Sequence, residues 1–344
     1  MRSLLPFLLV ILFISCSEKP KNEPFTSVEV EIVYEDSVSI RAIEFMGNSL
    51  GYAGSNGVFG SVDIATGKVR ESIEKYHTTI PEFRSISHTS TDFFMLSVAN
   101  PALLYKTGEN GRMQLVYKEE DESVFYDAMT FWNDAEGIAV GDSMNGCLSI
   151  LITRDGGNTW KKMPCSQLPE GLEGEGAFAA SNTNIKVLGD KTWIATNKSR
   201  IYFSGDKGKT LWQIYTTPVK SVVETQGIFS IDFYNENLGV VIGGDFQDPD
   251  TNTGNKAITT DGGKTWQLMA NGQNPQYKSC IQFVPYGSGG NGLVAIGFTG
   301  ISYSSDRGVT WKQLSDESFY TLRFLNNSVA YAAGKNRMAK LIFN

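Results

Sequence analysis

Histidine is almost missing from this chain: 344 residues hold only His77 and His88. That scarcity excludes a histidine-rich zinc centre and leaves little scope for a Ser-His-Asp triad. Positive charge is not in excess either, with 30 Lys and Arg against 37 Asp and Glu and a formal net charge of −7. No basic stripe or basic amphipathic helix runs along the chain, so nucleic acid is excluded as an expected partner. Only four cysteines are present, too few for a disulfide-dense scaffold. The apolar run from Leu4 to Ile14 falls well short of the roughly 20 residues that a membrane-spanning helix needs.

That short run has another reading. Arg2 precedes it and Ser15-Cys16 ends it, which is the layout of an export signal. Cys16 stands where a bacterial lipobox places its lipidated cysteine, with Phe13 in place of the usual Leu; a plain signal peptide is the alternative. We therefore expect a lipoprotein signal peptide at 1–16 and a polar tether at 17–26. A single folded domain should follow at 27–344, held by a lipid anchor at Cys16 in the cell envelope, on the periplasmic side or the outer-membrane surface.

The folded part repeats itself. Four copies of one pattern occur: TRDGGNTW at 153–160, SGDKGKTLW at 204–212, TTDGGKTW at 259–266 and SSDRGVTW at 304–311. Their key residues are Asp155 and Trp160, Asp206 and Trp212, Asp261 and Trp266, and Asp306 and Trp311. The tryptophans recur every 45 to 54 residues, the length of one four-stranded propeller blade. In such a hairpin tip the Asp accepts backbone N–H groups, Gly takes a positive φ, and Thr and Trp fix the returning strand.

Two β-rich runs precede each box. In one unit the strands are expected at 128–131, 137–140, 148–152 and 160–163, and in another at 228–233, 238–242, 256–258 and 266–269. Two degenerate units lie earlier, at 40–73 and 83–117. At the C-terminus, 320–324, 329–332 and 339–343 supply three strands and then the chain ends, while 28–34 near the start is a lone alternating strand. It should complete the last blade and remove two open sheet edges. The expected fold is all-β: a seven-bladed β-propeller closed by an N-terminal strand in the last blade, with six or eight blades as the alternatives, and expected to be a monomer. In this register Cys147 falls about opposite Cys165, either as a cross-strand disulfide or as two free thiols, and Cys280 begins an inner strand as a buried free residue.

These boxes resemble the Asp-box, or BNR-repeat, propellers of the photosystem II assembly-factor type and the sialidase-like propellers. The phrases FYDAM at 125–129, GD at 141–142, EGAFAAS at 175–181, GIFS at 227–230 and GGD at 243–245 resemble bacterial, non-photosynthetic members of that group. The resemblance implies the fold. It does not imply a function, because Asp boxes are scaffolding in binding proteins and enzymes alike.

Chemistry is expected at the other end of the blades, where the fourth-to-first and second-to-third strand connections gather around the axis. Ligand-binding candidates there are Arg41, Arg84, Tyr126, Asp127, Asp142, Glu175, Asp245, Tyr277 and Lys278, with His77 nearby. Arg41 and Arg84 would grip a carboxylate or sugar acid, with Asp127 and Glu175 as acid/base or orienting groups. The competing reading pairs these charges with one another to hold neighbouring blades together. A sialidase would need three converging arginines and an Arg-Ile-Pro-like motif, and IPEFR at 80–84 has the wrong order.

The glycine-rich stretch at 287–292 does not open a helix after a strand, so it is a connection and not a dinucleotide loop. The acidic loop at 244–254 offers Asp245, Asp248, Asp250 and Asn252 as oxygen ligands for Ca2+, but lacks the EF-hand glycine and glutamate. No metal or other cofactor is assigned. Two functions stay open: a non-catalytic envelope module binding a protein or glycan, and a glycan- or sugar-acid-active enzyme.

Overall fold

Runs such as Tyr126–Phe131 and Gly137–Met144 are buried at most positions rather than at alternate ones, as strands covered on both faces are. Their outer neighbours differ: Lys161–Lys162 and Gln267–Leu268 are exposed throughout. Each sheet is therefore dry at its inner edge and wet at its outer edge. Radial stacking of such sheets buries the inner strands without any helix.

The computed structural model describes residues 24–108, 111–285 and 288–344. The expected signal peptide, Cys16 and most of the tether lie outside the described residues, as do 109–110 and 286–287. Sheet 1 has seven strands in the order Thr321–Phe324, Val329–Ala333, Lys335–Phe343, Val28–Met46, Ser49–Gly54, Val58–Asp63 and Val69–Ile73. Sheets 2 to 6 each have four antiparallel strands and cover residues 83–119, 126–162, 185–216, 226–268 and 280–315.

Where seven blades are expected, hydrogen bonding among the described residues resolves six sheets. The long strand Val28–Met46 makes the difference. Its first half pairs with Lys335–Phe343, from Val28 opposite Phe343 to Glu35 opposite Arg337, and its second half pairs with Ser49–Gly54. No Gly or Pro stands at 35–39 to stop it, so one strand runs through both arrays with only register shifts between. The expected closure by the N-terminal strand is present.

The Asp boxes form hairpin tips of one design. In the box of sheet 3, Asp155 accepts the Thr159 amide at 2.9 Å and the Thr159 hydroxyl at 2.7 Å, while the Gly157 amide donates to Thr153 at 2.9 Å. Gly157, at φ 77°, also faces the neighbouring sheet: a Cβ there would lie 2.2 Å from the Phe94 ring. In the box of sheet 5, Gly263 sits against Trp193 of sheet 4, whose indole N–H donates to Gly262 O at 2.8 Å. These two boxes thus clamp sheets 3 and 5 to the sheets before them. Cys147 and Cys165 are bonded, with Cα atoms 5.5 Å apart, and Cys280 is free and buried.

The axis is not open. The connection after sheet 3 dives into it, and residues 179–184 are buried there. Ser181 donates to Ser279 O of sheet 6 at 2.6 Å and accepts from Thr321 of sheet 1 through its own carbonyl at 2.9 Å. Asn182 donates to Ile86 O of sheet 2 at 2.8 Å and accepts the Met129 amide of sheet 3 at 3.0 Å. Thr183 donates to the Ser230 hydroxyl of sheet 5 at 2.8 Å. The chain then enters sheet 4 at Ile185–Leu188. One turn touches every sheet.

Two substitutions test this account by denaturant unfolding. Asn182→Ala leaves the Ile86 carbonyl and Met129 amide without partners in a dry channel, and should cost about 2–4 kcal/mol. Gly157→Ala should cost about 3 kcal/mol through its positive φ and the Phe94 contact, against about 1 kcal/mol for Gly67→Ala. Gly67 has φ 68° but nothing within 4 Å of a Cβ. Equal losses at the two glycines would refute the clamp.

Candidate functional site

Because strands in each sheet alternate direction, the face opposite the Asp boxes collects the connections named above. There the axial turn forms the floor of a cup. Its cavity has a volume of about 540 Å³.

The cup has two unlike halves. On one side stand Arg41, Arg84 and Lys335 with Tyr320; on the other, Phe178, Phe229, Phe246, Tyr277 and Phe298, with Ala179 and Ala180 beneath. Phe178 and Phe229 stack in parallel at 3.8 Å, Phe246 lies edge-on to both, and Phe298 stacks on Tyr277 at 4.7 Å. The Arg41 guanidinium lies 4.2 Å over the Tyr320 ring. Its Nε is buried without a hydrogen-bond partner, and among the described residues no carboxylate pairs with it. Burial, and then the neighbouring Arg84, hold the Arg41 guanidinium below its ordinary pKa. Arg84 is compensated by Glu82 at 2.7 Å.

Of the residues proposed from sequence, Arg41, Arg84 and Tyr277 line this cup together. The others do not. Glu175 is buried and anchors the stem of the axial turn: it accepts from Thr196 at 2.8 Å and Tyr202 at 3.0 Å and pairs with Arg200 at 3.2 Å. Tyr126 is buried and donates to Glu119 at 2.7 Å. Lys278 is buried and donates to Thr299 O at 3.0 Å and Gly300 O at 2.9 Å, which fixes the turn that carries Phe298. Burial pushes its amine down to about 7. Asp245 accepts the Gln247 amide at 2.9 Å, and His77 is exposed and does not line the cup.

Asp127 and Asp142 form a carboxyl pair behind the cup wall. Asp127 is fully buried, and neither of its oxygens has a hydrogen-bond partner. Burial, then the neighbouring Asp142, push its pKa well above the usual carboxylate range. Asp142 is raised to about 6, chiefly by burial. A Cβ on Gly176 would meet Asp142 Oδ1, so the pair packs directly against the stem of the axial turn.

In the acidic loop, Asp248 accepts from Thr251 at 2.6 Å and Asp250 from Gln276 at 3.2 Å, so these carboxylates serve separate local contacts. Among the described residues no group of three or more His, Cys, Asp or Glu side chains is placed to hold a metal ion. The aromatic half of the cup escaped the sequence reading. Phe178 and Phe229 lie inside phrases quoted above, and nothing in their local pattern separates them from core phenylalanines such as Phe233.

Comparison with known proteins supports the fold. The BNR/Asp-box repeat family matches residues 257–268. A structure of YCF48 bound to D1 peptide superposes with a TM-score of 0.66 at 12% identity, covering 93% of this chain and 98% of that one. YCF48 from Cyanidioschyzon merolae gives 0.63 at 12% identity, covering 93% and 99%. The RRP9 WD40 repeats give 0.66 at 10% identity, covering 93% and 99%. No curated protein sequence matches. The chain is an Asp-box β-propeller resembling propellers of the YCF48 type.

The carboxyl pair makes stability depend on pH in an unusual direction. A carboxyl whose pKa is raised on folding stabilises most below its unfolded value near 4, and that contribution fades as pH rises through the folded value. For Asp142 the window runs from about 4 to about 6. Asp142→Asn should flatten the loss of melting temperature across that window, a difference on the order of 3 kcal/mol. A parent and variant with parallel melting curves from pH 4 to 7 would contradict the pair.

Proposed function

We propose that this protein is an envelope-anchored binding module whose cup captures an anionic group of a protein or glycan ligand. The observation that carries the reading is Arg41. Arg41 is half-buried, its Nε is buried without a partner and no carboxylate among the described residues is bonded to it; a cation partly withdrawn from water in this way carries a cost that a ligand anion would relieve. Mutual pairing accounts for Arg84 with Glu82 and for Arg200 with Glu175, but not for Arg41. The YCF48 structure with D1 peptide is one case of this fold holding a peptide, and it favours a protein ligand over a glycan.

The enzyme reading needs carboxylates facing the ligand. Asp127 and Glu175 lie behind the wall, so binding is the reading with more support. We count the seven-stranded sheet as two blades sharing Val28–Met46, for seven in all. We also read 1–16 as a lipoprotein signal peptide, Cys16 as the lipidated residue and 17–26 as the tether.

The exit point of the tether supports that arrangement. Phe25 packs on Tyr303 at 4.7 Å and the Lys312 amine donates to Thr26 O at 2.9 Å, both at the foot of the last Asp box. The tether would therefore leave from the face opposite the cup and present the cup away from the membrane.

Surface-plasmon binding of Asp- and Glu-rich peptides and of polyglucuronate, against uncharged counterparts, tests the reading. Acidic ligands should bind, and Arg41→Ala should weaken them about tenfold or more. Arg307→Ala, on the Asp-box face, should leave binding unchanged. Loss at Arg307 with retention at Arg41 would move the site to the other face.

A further inference from the structure

The cup joins a cationic half to an aromatic one, and this union narrows the ligand further than charge does. We propose that the cup takes a carboxylate that carries an aromatic side group: an anion on Arg41 with an aromatic ring seated against Phe246 and Phe298. The proposal rests on the anion-binding reading above and adds the second half of the ligand.

Phe246 and Phe298 keep 43% and 38% of their surface exposed, although large aromatic side chains usually bury far more. Both are held in place rather than loose. Phe246 lies edge-on to the stacked Phe178–Phe229 pair, and Phe298 is stacked on Tyr277. The turn carrying Phe298 is pinned from beneath by the Lys278 amine, and Thr299 donates to Tyr277 O at 2.6 Å. Rigid, exposed rings beside an unpaired guanidinium form a pre-organised wall, which lowers the ordering cost of binding.

The chemistry of that wall discriminates among anions. Phenylalanine offers no donor or acceptor, so the hydroxyls of a sugar acid would lose water there without replacement. A short alkyl acid would leave the rings exposed. An aromatic ring gains edge-to-face or offset contact with them beyond the area it buries. The small floor residues Ala179 and Ala180 leave depth for a ring.

Calorimetric titration of the full chain with N-acetylphenylalanine, N-acetylalanine, N-acetylphenylalaninamide and glucuronate tests this. N-acetylphenylalanine should bind about tenfold tighter than N-acetylalanine, and the uncharged amide should not bind. Phe298→Ala, a change at the exposed rim, should narrow the gap between the two acids to about threefold or less. A peptide ending in phenylalanine, tested with free and amidated termini, identifies the source. Binding of the free-terminus peptide points to a chain end, and binding of the small acid alone points to a free metabolite; both support the class. If the two acids bind alike, or glucuronate binds more tightly, the aryl assignment is overturned while the anion reading stands. If no anion binds, both fall together.

Discussion

The structure depends on one buried polar turn, residues 181–183, at the axis. Inner strands of a propeller face the channel with backbone groups that their own sheet leaves unpaired, and such groups need partners. Ser181, Asn182 and Thr183 supply them to sheets on every side. Asn182 suits this role because its amide both donates and accepts, meeting the Ile86 carbonyl and the Met129 amide across two sheets. The turn also divides the axis. Above it lies the cup, and below it a cavity of about 220 Å³, where Arg323 pairs with Glu44 at 3.1 Å and Lys186 with Asp232 at 2.7 Å. The lower charges are balanced in pairs, whereas among the described residues Arg41 above has no carboxylate bonded to it, and this asymmetry is what sets the upper cavity apart from the lower one.

Around the cup, buried charge is used as carpentry. Glu175 ties the stem of the turn to sheet 4 through Thr196, Tyr202 and Arg200. Among the described residues Lys278 has no carboxylate partner but meets three oxygens of the Thr299–Gly300 turn, so its amine acts as a bracket. Lys256 does the same one sheet earlier, donating to Gln273 O at 2.8 Å and Pro275 O at 3.2 Å on the approach to Tyr277. Desolvation lowers both amines, Lys256 to about 8 and Lys278 to about 7. Removing either would free a loop that positions an aromatic wall residue.

How far the sequence carries depends on whether a signal is local. The Asp boxes are local: their spacing yields the strand order, the register that places Cys147 opposite Cys165, and the end of each blade at which the hairpin tips lie. The lone strand at 28–34 could be assigned to the last blade because its partner strand was missing there. The continuity of Val28–Met46 was harder to read, since a strand crossing between two arrays carries no breaker to mark the crossing. Arg41 and Arg84 were legible as charges at strand starts. Asp127 occupies the position equivalent to Arg84, second in its strand, yet it is fully buried, a distinction set by packing; Glu175 and Lys278 lie ahead of the strands that begin at Ile185 and Cys280 and are buried as well. The axial turn left one trace, the unusually long stretch at 163–184 between strands, because long connections in compact domains tend to carry a role of their own.

The two ends of the propeller answer to different constraints. At the Asp-box end, Gly157 and Gly263 press the Phe94 and Trp193 rings of the neighbouring sheets and Gly308 meets Met269, so sequence at these positions is constrained by contact between sheets. At the cup end, connections vary from the direct passage within Val28–Met46 to the long stem after sheet 3, and they meet at a floor already made rigid by the axial turn. Side chains there can change without loosening the blades, because the hydrogen bonds that hold the ring lie one layer below. A rigid floor beneath variable walls is what a binding surface requires, and it explains how a cation without a counter-charge is tolerated at Arg41: the fold beneath does not rely on it.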